Sequence, residues 1–358
     1  MSYVRHNIER MTPYVPGAQP PPGASVVKLN TNENPYPPSP RVAEALAGFE
    51  PAALRAYPDP TAGRLRNVAA EVLGVKPDWI LPANGSDDAI MMIARAAGAP
   101  DREIAYATPT FTFYDTQARI EAAGPVEVPY GEDYALPVEA LAAAGAAVTF
   151  VASPNSPSGT LAPTDQLAEL AERSSGLLIV DEAYVDFADE TALPLIERFE
   201  NVVVLRTLSK GYSLAGLRVG FAVARPALLE QLAKTKQIYN VGALPAALAA
   251  AAMSDQAWKD ANVAKVRAGR AELTNGLRQR GWRVWDSQAN FLWTRPPEGN
   301  AAALHEALSA RGILVRHFRG AGLDDKLRIT VGTDEQNAVL LAALGDGRSK
   351  VEDRRAKS

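Results

Sequence analysis

Seven short apolar runs, several of them separated by helical segments, dominate the middle of the chain. The runs cover 79–83, 103–107, 126–130, 148–152, 177–180, 202–205 and 219–223. The helical patterns between them cover 89–97, 165–173 and 226–234. Continuous β-branched runs that alternate with helices are typical of a mostly parallel sheet covered on both faces. The sequence therefore predicts an α/β fold built on a seven-stranded, mostly parallel sheet.

The sequence pattern changes on both sides of this region. Residues 1–40 are rich in Pro, Asn and Gly, which predicts an arm with little helix. A long helical pattern at 258–280 leads into short strands and two further helices, which predicts a smaller α+β domain. We predict a large domain over 41–245 and a small domain over 246–345 that also includes the arm. Residues 346–358 are charged and without apolar periodicity, so a disordered tail is expected there.

Composition and charge narrow the possible chemistry. The 358 residues include no Cys, which excludes disulfides, thiolate catalysis and Cys-ligated metals. The three His residues have no metal-ligand spacing, so no metal site is predicted. A net charge of −4 disfavours a nucleic-acid partner. The most apolar run, 241–253, is too short to span a bilayer, and no signal-like segment follows Met1, so a cytoplasmic protein is expected.

Two polar segments follow predicted strands that are one strand–helix–strand repeat apart. Ser209 and Lys210 come shortly after the run 202–205, where a partly desolvated amine can attack carbonyl compounds. Alternatively, Ser209 and Lys210 are ordinary surface residues, since lysine is usually exposed. Asp181 ends the run 177–180, where a buried carboxylate needs a partner. Its alternative role is a helix N-cap.

Three further segments lie at predicted strand ends. Gly85, Ser86 and Asp87 precede a helix, where free backbone N–H groups suit a phosphate or serve as a plain N-cap. Asn155 lies in a loop fixed by prolines, and Phe111 follows another strand. Asn155 can bind a cofactor oxygen or stabilise a turn, and Phe111 can stack on a flat ring or pack in the core. Because the carboxyl ends of parallel strands meet at one edge, all these segments are expected to line one cleft.

Taken together, the segments resemble the fold-type-I, pyridoxal-phosphate-dependent aminotransferases of class I/II, and among them the histidinol-phosphate aminotransferase family. The resemblance runs from about Tyr3 to Leu344. The strings that carry it are MTPY (11–14), KLNTNENP (28–35), YPDP (57–60), VDEAY (180–184), RTLSKGYSLAGLRVGF (206–221) and LRITVGT (327–333).

The resemblance implies roles for the catalytic and cofactor residues. Lys210 matches the lysine that carries pyridoxal 5′-phosphate (PLP) as a Schiff base and moves the substrate proton. Asp181 matches the partner of the ring nitrogen, and Tyr184 matches the donor to the ring's phenolic oxygen. The other cofactor residues that the resemblance implies are Gly85, Ser86, Asp87, Ser209 and Arg218 at the phosphate, and Phe111 on the ring.

The resemblance also implies residues outside the cofactor pocket. Tyr57 matches a tyrosine that reaches the cofactor of a neighbouring subunit, which implies a homodimer with shared sites. The implied substrate residues are Tyr14, Asn32, Arg316 and Arg328. The family loop Asn-Pro-Thr-Gly is replaced here by the string Ser-Pro-Ser-Gly at 156–159. We therefore expect Asn155 to make the cofactor contact, with Ser156 as the alternative.

The implied reaction is transamination of L-histidinol phosphate with 2-oxoglutarate, a step of histidine biosynthesis that gives imidazole-acetol phosphate and L-glutamate. An aromatic amino-acid aminotransferase and a threonine-phosphate decarboxylase remain open, because both share the cofactor residues. A Rossmann-type dehydrogenase is disfavoured, because no strand is followed by G-x-G-x-x-G. A non-catalytic binding protein is disfavoured by the presence of Lys210, Asp181 and Arg218 together.

Overall fold

The computed structural model of the chain describes residues 3–13, 16–21 and 23–345. The predicted substrate residue Tyr14 and the predicted tail 346–358 lie outside these residues. Within them, no helix is long and apolar enough to cross a membrane, and no three His, Asp or Glu side chains cluster as metal ligands.

The described residues form thirteen strands and thirteen α-helices. The strands are β1 Val27–Lys28, β2 Ile80–Ala83, β3 Ile104–Thr108, β4 Pro125–Pro129, β5 Val148–Ala152, β6 Leu177–Asp181, β7 Val202–Thr207, β8 Gly220–Val223, β9 Arg283–Val284, β10 Phe291–Arg295, β11 Ile313–Leu314, β12 Arg316–His317 and β13 Leu327–Thr330. The helices are α1 His6–Glu9, α2 Pro40–Ala47, α3 Gly63–Leu73, α4 Ser86–Ala97, α5 Phe113–Ile120, α6 Val138–Ala143, α7 Thr164–Arg173, α8 Leu195–Arg198, α9 Pro226–Ala233, α10 Ala243–Met253, α11 Gln256–Gln279, α12 Ala301–Ala310 and α13 Asp334–Leu344.

A seven-stranded sheet organises the large domain, in the order β2-β8-β7-β6-β5-β3-β4. Strand β8 runs antiparallel to both of its neighbours, and the other four pairs are parallel. The predicted α/β fold with a mostly parallel seven-stranded sheet is confirmed. The parallel pairing brings the carboxyl ends of β3, β5, β6 and β7 to one edge of the sheet.

Alternation along the central strands explains why both faces of the sheet are covered. In β6, Leu178 and Val180 pack into the core on one face, and Ile179 packs into the core on the other. Helices α3, α7 and α10 contribute to the first core, and α4 and α9 contribute to the second. Since successive strand residues point to opposite faces, a continuous apolar run is what a doubly covered strand requires.

The small domain is built on the antiparallel sheet β12-β13-β10-β9. Helices α11, α12 and α13 contribute apolar side chains to its core. The N-terminal arm joins this domain, because β1 pairs in parallel with β11 and places Val27 opposite Ile313. The neighbouring short strands β11 and β12 therefore pair with different partners, β11 with β1 of the arm and β12 with β13.

Helix α10 bears on the boundary between the two domains. It packs against α2 and α3, and its Ala249, Ala250 and Met253 lie in the core of the large domain. The expected boundary at residue 245 falls inside this helix. This Ala-rich helix has no polar side chain that could form a solvent-facing side. Its buried residues pack in the core of the large domain, so it belongs to that domain. We propose that the large domain extends to Met253.

Three helices of the large domain, α5, α6 and α8, are absent from the sequence prediction. Helices α6 and α8 have only 6 and 4 residues, and α5 buries the polar Gln117 beside its apolar residues, so none of them shows a clear apolar period. Helix α5 matters for the site, because it brings Tyr114 into the core beside the end of β6.

Candidate active site

The predicted catalytic residues lie where β6 and β7 end. The two strands pair with Asp181 opposite Leu205, so both lead to the same edge of the sheet. Lys210 follows β7 after a short turn, and its Nζ atom lies 5.5 Å from the centre of the Tyr184 ring. Tyr184 follows Asp181 in the turn that leaves β6. The structure therefore brings together the amine, the carboxylate and the phenol that the sequence singled out.

Asp181 is a buried carboxylate with few hydrogen-bond donors. It is 5% exposed and accepts hydrogen bonds from the Tyr114 hydroxyl at 2.7 Å and the Ala183 N–H at 3.1 Å. Burial, helped by the charges of Asp87 and Glu182, raises the pKa of Asp181 to about 6, although the two hydrogen bonds act to lower it. A buried carboxylate in this state is stabilised by a cation, and a protonated pyridine nitrogen is one. The carboxylate therefore fits the ring of PLP.

A candidate anion site lies at the start of α4. The helix begins at Ser86 after Gly85, so its first backbone N–H groups have no partner within the helix. The Arg218 guanidinium lies 3.3 Å from the Ser209 hydroxyl and 3.0 Å from the Asp87 carboxylate. Gly85 has a φ of 80°, which L side chains rarely adopt, and a Cβ atom there would lie 2.6 Å from Arg218 Nη2, so this turn favours glycine. A helix N-terminus, a guanidinium and a hydroxyl together are suited to a phosphate.

Phe111 lies at the end of β3, beside the same edge of the sheet. Its ring contacts Tyr114 edge-on, with the centroids 5.7 Å apart, and Tyr114 stacks on Phe150 at 4.7 Å. Phe111 itself is only partly buried. It is thus an aromatic ring supported from behind by the core, as a residue that stacks on a flat cofactor must be.

Asn155 braces its own loop. Its amide nitrogen donates to the Ser158 hydroxyl at 2.8 Å and the Pro109 carbonyl at 3.2 Å, and its oxygen accepts from the Thr110 hydroxyl at 2.7 Å. Both amide hydrogens are already donated to protein acceptors. Asn155 therefore stabilises its own loop in this structure. Its expected contact with a cofactor oxygen stays a prediction, with Ser156 as the alternative.

Ser156 contacts Arg328, one of the predicted substrate residues. The Ser156 hydroxyl accepts a hydrogen bond from Arg328 Nη1 at 2.9 Å. The amide of Asn32, another predicted substrate residue, donates to the hydroxyl of the predicted catalytic residue Tyr184 at 2.9 Å. Phe291 links the two pairs, because its ring lies 5.0 Å from that of Tyr184 and 5.3 Å from the Arg328 guanidinium. Asn32 and Arg328 therefore line the cleft that holds Lys210.

Arg316 lies beside Arg328 in the small domain. The two are register partners on the antiparallel strands β12 and β13. Both guanidinium groups lie 5.3 Å from the Phe318 ring, and Arg316 also donates to the Pro16 carbonyl at 3.3 Å. The structure thus places two cations side by side on one sheet.

Tyr57 is the predicted site residue that the structure places away from this cluster. Its side chain is 82% exposed, and its ring stacks on Tyr239 at 4.5 Å. It faces outward from the chain, where a residue of a second subunit can meet it.

The chain matches the family model for aminotransferase class I and II over residues 24–344. The chain belongs to this aminotransferase family. It is 54% identical over 345 residues to histidinol-phosphate aminotransferase 1 of Trichormus variabilis, covering 96% of this chain and 99% of that protein. It is 43% identical over 351 residues to histidinol-phosphate aminotransferase of Citrifermentans bemidjiense, covering 97% and 100%.

A solved aminotransferase has a closely similar structure. The histidinol-phosphate aminotransferase of Sinorhizobium meliloti in complex with pyridoxal-5′-phosphate superposes on the chain with a TM-score of 0.88 at 25% identity. The match covers 98% of this chain and 99% of that one. It includes both the large and the small domain, so the likeness extends beyond the central sheet.

The aminotransferase also has site-supporting residues that were not predicted from the sequence. Glu182 is buried and pairs with Arg206 at 2.7 Å, while it accepts from the Ala192 N–H at 2.6 Å. This pair ties the end of β6 to the end of β7. Asn34 donates to the backbone carbonyls of Lys210 and Gly211, each at 3.2 Å. Asn34 and Glu182 lie inside the strings KLNTNENP and VDEAY, so their position in the motifs was the available signal.

Proposed function

We propose that the chain is a PLP-dependent aminotransferase that uses L-histidinol phosphate and 2-oxoglutarate. The convergence of Lys210, Asp181 and the anion site around Arg218 at one edge of the sheet carries this proposal. Curated relatives with the name histidinol-phosphate aminotransferase, at up to 54% identity over nearly the full chain, support the substrate.

Different residues of the cleft bind PLP and transfer protons. The bound cofactor supplies the electron sink for the bond that breaks at the substrate carbon. The Lys210 amine would hold the cofactor's aldehyde carbon and, once released, would move the proton from the substrate carbon that carries the amino group to that former aldehyde carbon; the second half-reaction would move a proton in the opposite direction. Asp181 stabilises the protonated ring nitrogen, and Tyr184 donates to the phenolic oxygen. Arg218 and Ser209, with the N-terminus of α4, bind the phosphate.

The paired arginines of the small domain support a doubly charged substrate. Arg316 and Arg328 are register partners, so two guanidinium groups can meet one phosphate or one carboxylate. Histidinol phosphate carries a phosphate, and 2-oxoglutarate carries two carboxylates. One pocket can therefore serve both half-reactions, in which the two substrates bind in turn.

Rates with alternative substrates test this proposal. We expect kcat/KM for histidinol phosphate to exceed that for phenylalanine by at least about 10-fold, because a phosphate offers the paired arginines one more charged oxygen than a carboxylate does, and a hydrogen bond to a charged group is worth about 1.5–3 kcal/mol. The measurement is steady-state kinetics with 2-oxoglutarate as acceptor, with carbon dioxide release from threonine phosphate assayed in parallel. A preference for phenylalanine, or release of carbon dioxide, would reject histidinol phosphate as the substrate.

The exposed aromatic pair supports a homodimer with shared sites. Tyr57 stacks on Tyr239, and the neighbouring Leu54 and Ile238 are 61% and 72% exposed. Apolar side chains exposed together mark a surface for another chain. We propose that a second copy covers this surface and that Tyr57 reaches the partner's cofactor phosphate.

Mixed dimers test the shared site. A Tyr57→Ala subunit paired with a Lys210→Ala subunit should regain up to about half of the wild-type activity, since one of its two sites then has both residues intact. Activity is measured on affinity-purified heterodimers that carry two different tags. The control pairs Asp181→Asn with Lys210→Ala, two residues of the same subunit, and should recover nothing. Equal failure of both pairs would place Tyr57 in the site of its own subunit and reject sharing, whereas wild-type activity of the Tyr57→Ala homodimer would place Tyr57 outside the site.

A further inference from the structure

The buried carboxylate of Asp181 is held by a tyrosine that is not among the predicted site residues. Tyr114, in the first turn of α5, is 0% exposed, and its hydroxyl donates to Asp181 Oδ2 at 2.7 Å. The two residues are 67 positions apart in the chain. The bond therefore joins the segment after β3 to the end of β6, at the edge of the sheet where the cleft lies.

Aromatic contacts fix the Tyr114 ring in place. It stacks on Phe150 with an interplanar angle of 5°, and it meets Phe111 edge-on at 86°. Phe150 lies in the central strand β5 and is itself buried. The ring that supports the predicted stacking residue Phe111 is thus also the ring whose hydroxyl holds Asp181.

The surroundings of the pair make Tyr114 a donor and Asp181 an acceptor. Burial and the charge of Asp181 raise the pKa of Tyr114 well above its ordinary value, so the phenol keeps its proton. Burial, and then the carboxylates of Asp87 from α4 and the adjacent Glu182, raise the pKa of Asp181. The hydrogen bonds from Tyr114 and the Ala183 N–H act in the opposite direction. The phenol is therefore the largest favourable contact of the ionised carboxylate from a side chain.

We propose that Tyr114 is a positioning residue whose hydroxyl keeps Asp181 ionised and oriented toward the ring nitrogen of PLP. The inference rests on the proposed function, because it needs the cofactor beside Asp181. Without the hydroxyl, the neutral acid is favoured over the carboxylate. The ring nitrogen then loses the negative charge that holds its proton, although Asp181 itself remains in place.

The test uses Tyr114→Phe, with Tyr106→Phe as the matched control. The Tyr106 hydroxyl also donates to a carboxylate, that of Asp115 at 2.8 Å, and its ring lies 6.4 Å from that of Tyr114. In cofactor-free protein, the carboxyl ¹³C resonance of Asp181 is assigned through its loss in Asp181→Asn and is followed against pH. We expect the pKa of Asp181 to rise in Tyr114→Phe and PLP affinity to fall on the order of 10-fold. Both quantities should stay at wild-type values in Tyr106→Phe.

Two outcomes separate this inference from the proposed function. A wild-type protein that does not bind PLP contradicts the proposed function. A wild-type protein that binds PLP, with Tyr114→Phe unchanged in both quantities, overturns the role of Tyr114 alone. If Tyr114→Phe does not fold, the Tyr114 hydroxyl proton of the wild-type protein is followed by NMR while Asp181 titrates. That resonance should move with the titration and shift in Asp181→Asn, and a resonance that does neither overturns the proposal.

Discussion

Replacing Lys210 with Ala should abolish transamination, with kcat falling by at least about 10⁴-fold. The amine has two functions, since it holds the cofactor and moves the substrate proton, and its position over the Tyr184 ring places it inside the cleft. The measurement is the rate of glutamate formation from 2-oxoglutarate under saturating PLP. Lys76→Ala, at an exposed lysine on the protein surface, should keep the wild-type rate.

A chemical readout complements this rate measurement. Borohydride reduction of the PLP-loaded protein should leave the cofactor attached to the peptide that contains Lys210, as mass spectrometry will show. The Lys210→Ala protein should carry no such label. If Lys210→Ala transaminates at the wild-type rate, or if the label lies on another peptide, Lys210 is not the catalytic amine.

Replacing Asp181 with Asn should lower kcat and raise the stability of the cofactor-free protein. The rate should fall on the order of 10²–10³-fold, because the charge opposite the ring nitrogen is lost at the reacting centre. The pKa of Asp181, about 6 in the folded protein, lies above its ordinary value of 3.8. The folded state therefore binds this proton more tightly than the unfolded state, and raising the pH from about 4 to about 6 lowers the free energy of unfolding.

The same linkage gives the size of the stability change. Two pKa units correspond to about 3 kcal/mol, so cofactor-free Asp181→Asn should be on the order of 2–3 kcal/mol more stable than wild type at about pH 8. The advantage should disappear below about pH 4, where Asp181 is protonated in both states. Urea unfolding at the two pH values measures both quantities. The control Asp115→Asn lies outside the cleft and should not gain stability as pH rises. A wild-type kcat in Asp181→Asn would exclude this carboxylate as the partner of the ring nitrogen.

Much of the fold could be predicted from local patterns in the sequence. Continuous apolar runs with intervening helices identified the seven strands, because a strand buried on both faces needs apolar side chains at every position. The boundaries of most of these strands shifted by only one or two residues. Helices α5, α6 and α8 were missed, since α6 and α8 are shorter than two turns and the buried side of α5 includes the polar Gln117.

The candidate site followed from strand ends. Lys210, Asp181 and the Gly85 turn each lie at or shortly after the end of a predicted strand. Parallel pairing of β6 and β7 brings Asp181 and Lys210 to one edge. The Gly85 turn reaches the same edge because β8 runs antiparallel to both β2 and β7, so β2 and β7 point in the same direction. The positions of strand ends could not decide whether Asn155 or Ser156 contacts the cofactor. They are adjacent in one loop, and their contacts involve Thr110 and Arg328, which approach from other parts of the chain.

The sequence by itself determined the sheet, because continuous apolar runs mark strands that are buried on both faces. It also predicted Lys210 and Asp181 as site residues, through their positions near strand ends and the family resemblance of the strings that contain them. Only the tertiary structure decided that Tyr114 holds Asp181, that Arg316 lies beside Arg328, and that Tyr57 faces outward. These facts depend on strand order, register and helix packing between residues far apart in the chain. No local pattern of residue types specifies such contacts, because they arise only when the two domains fold.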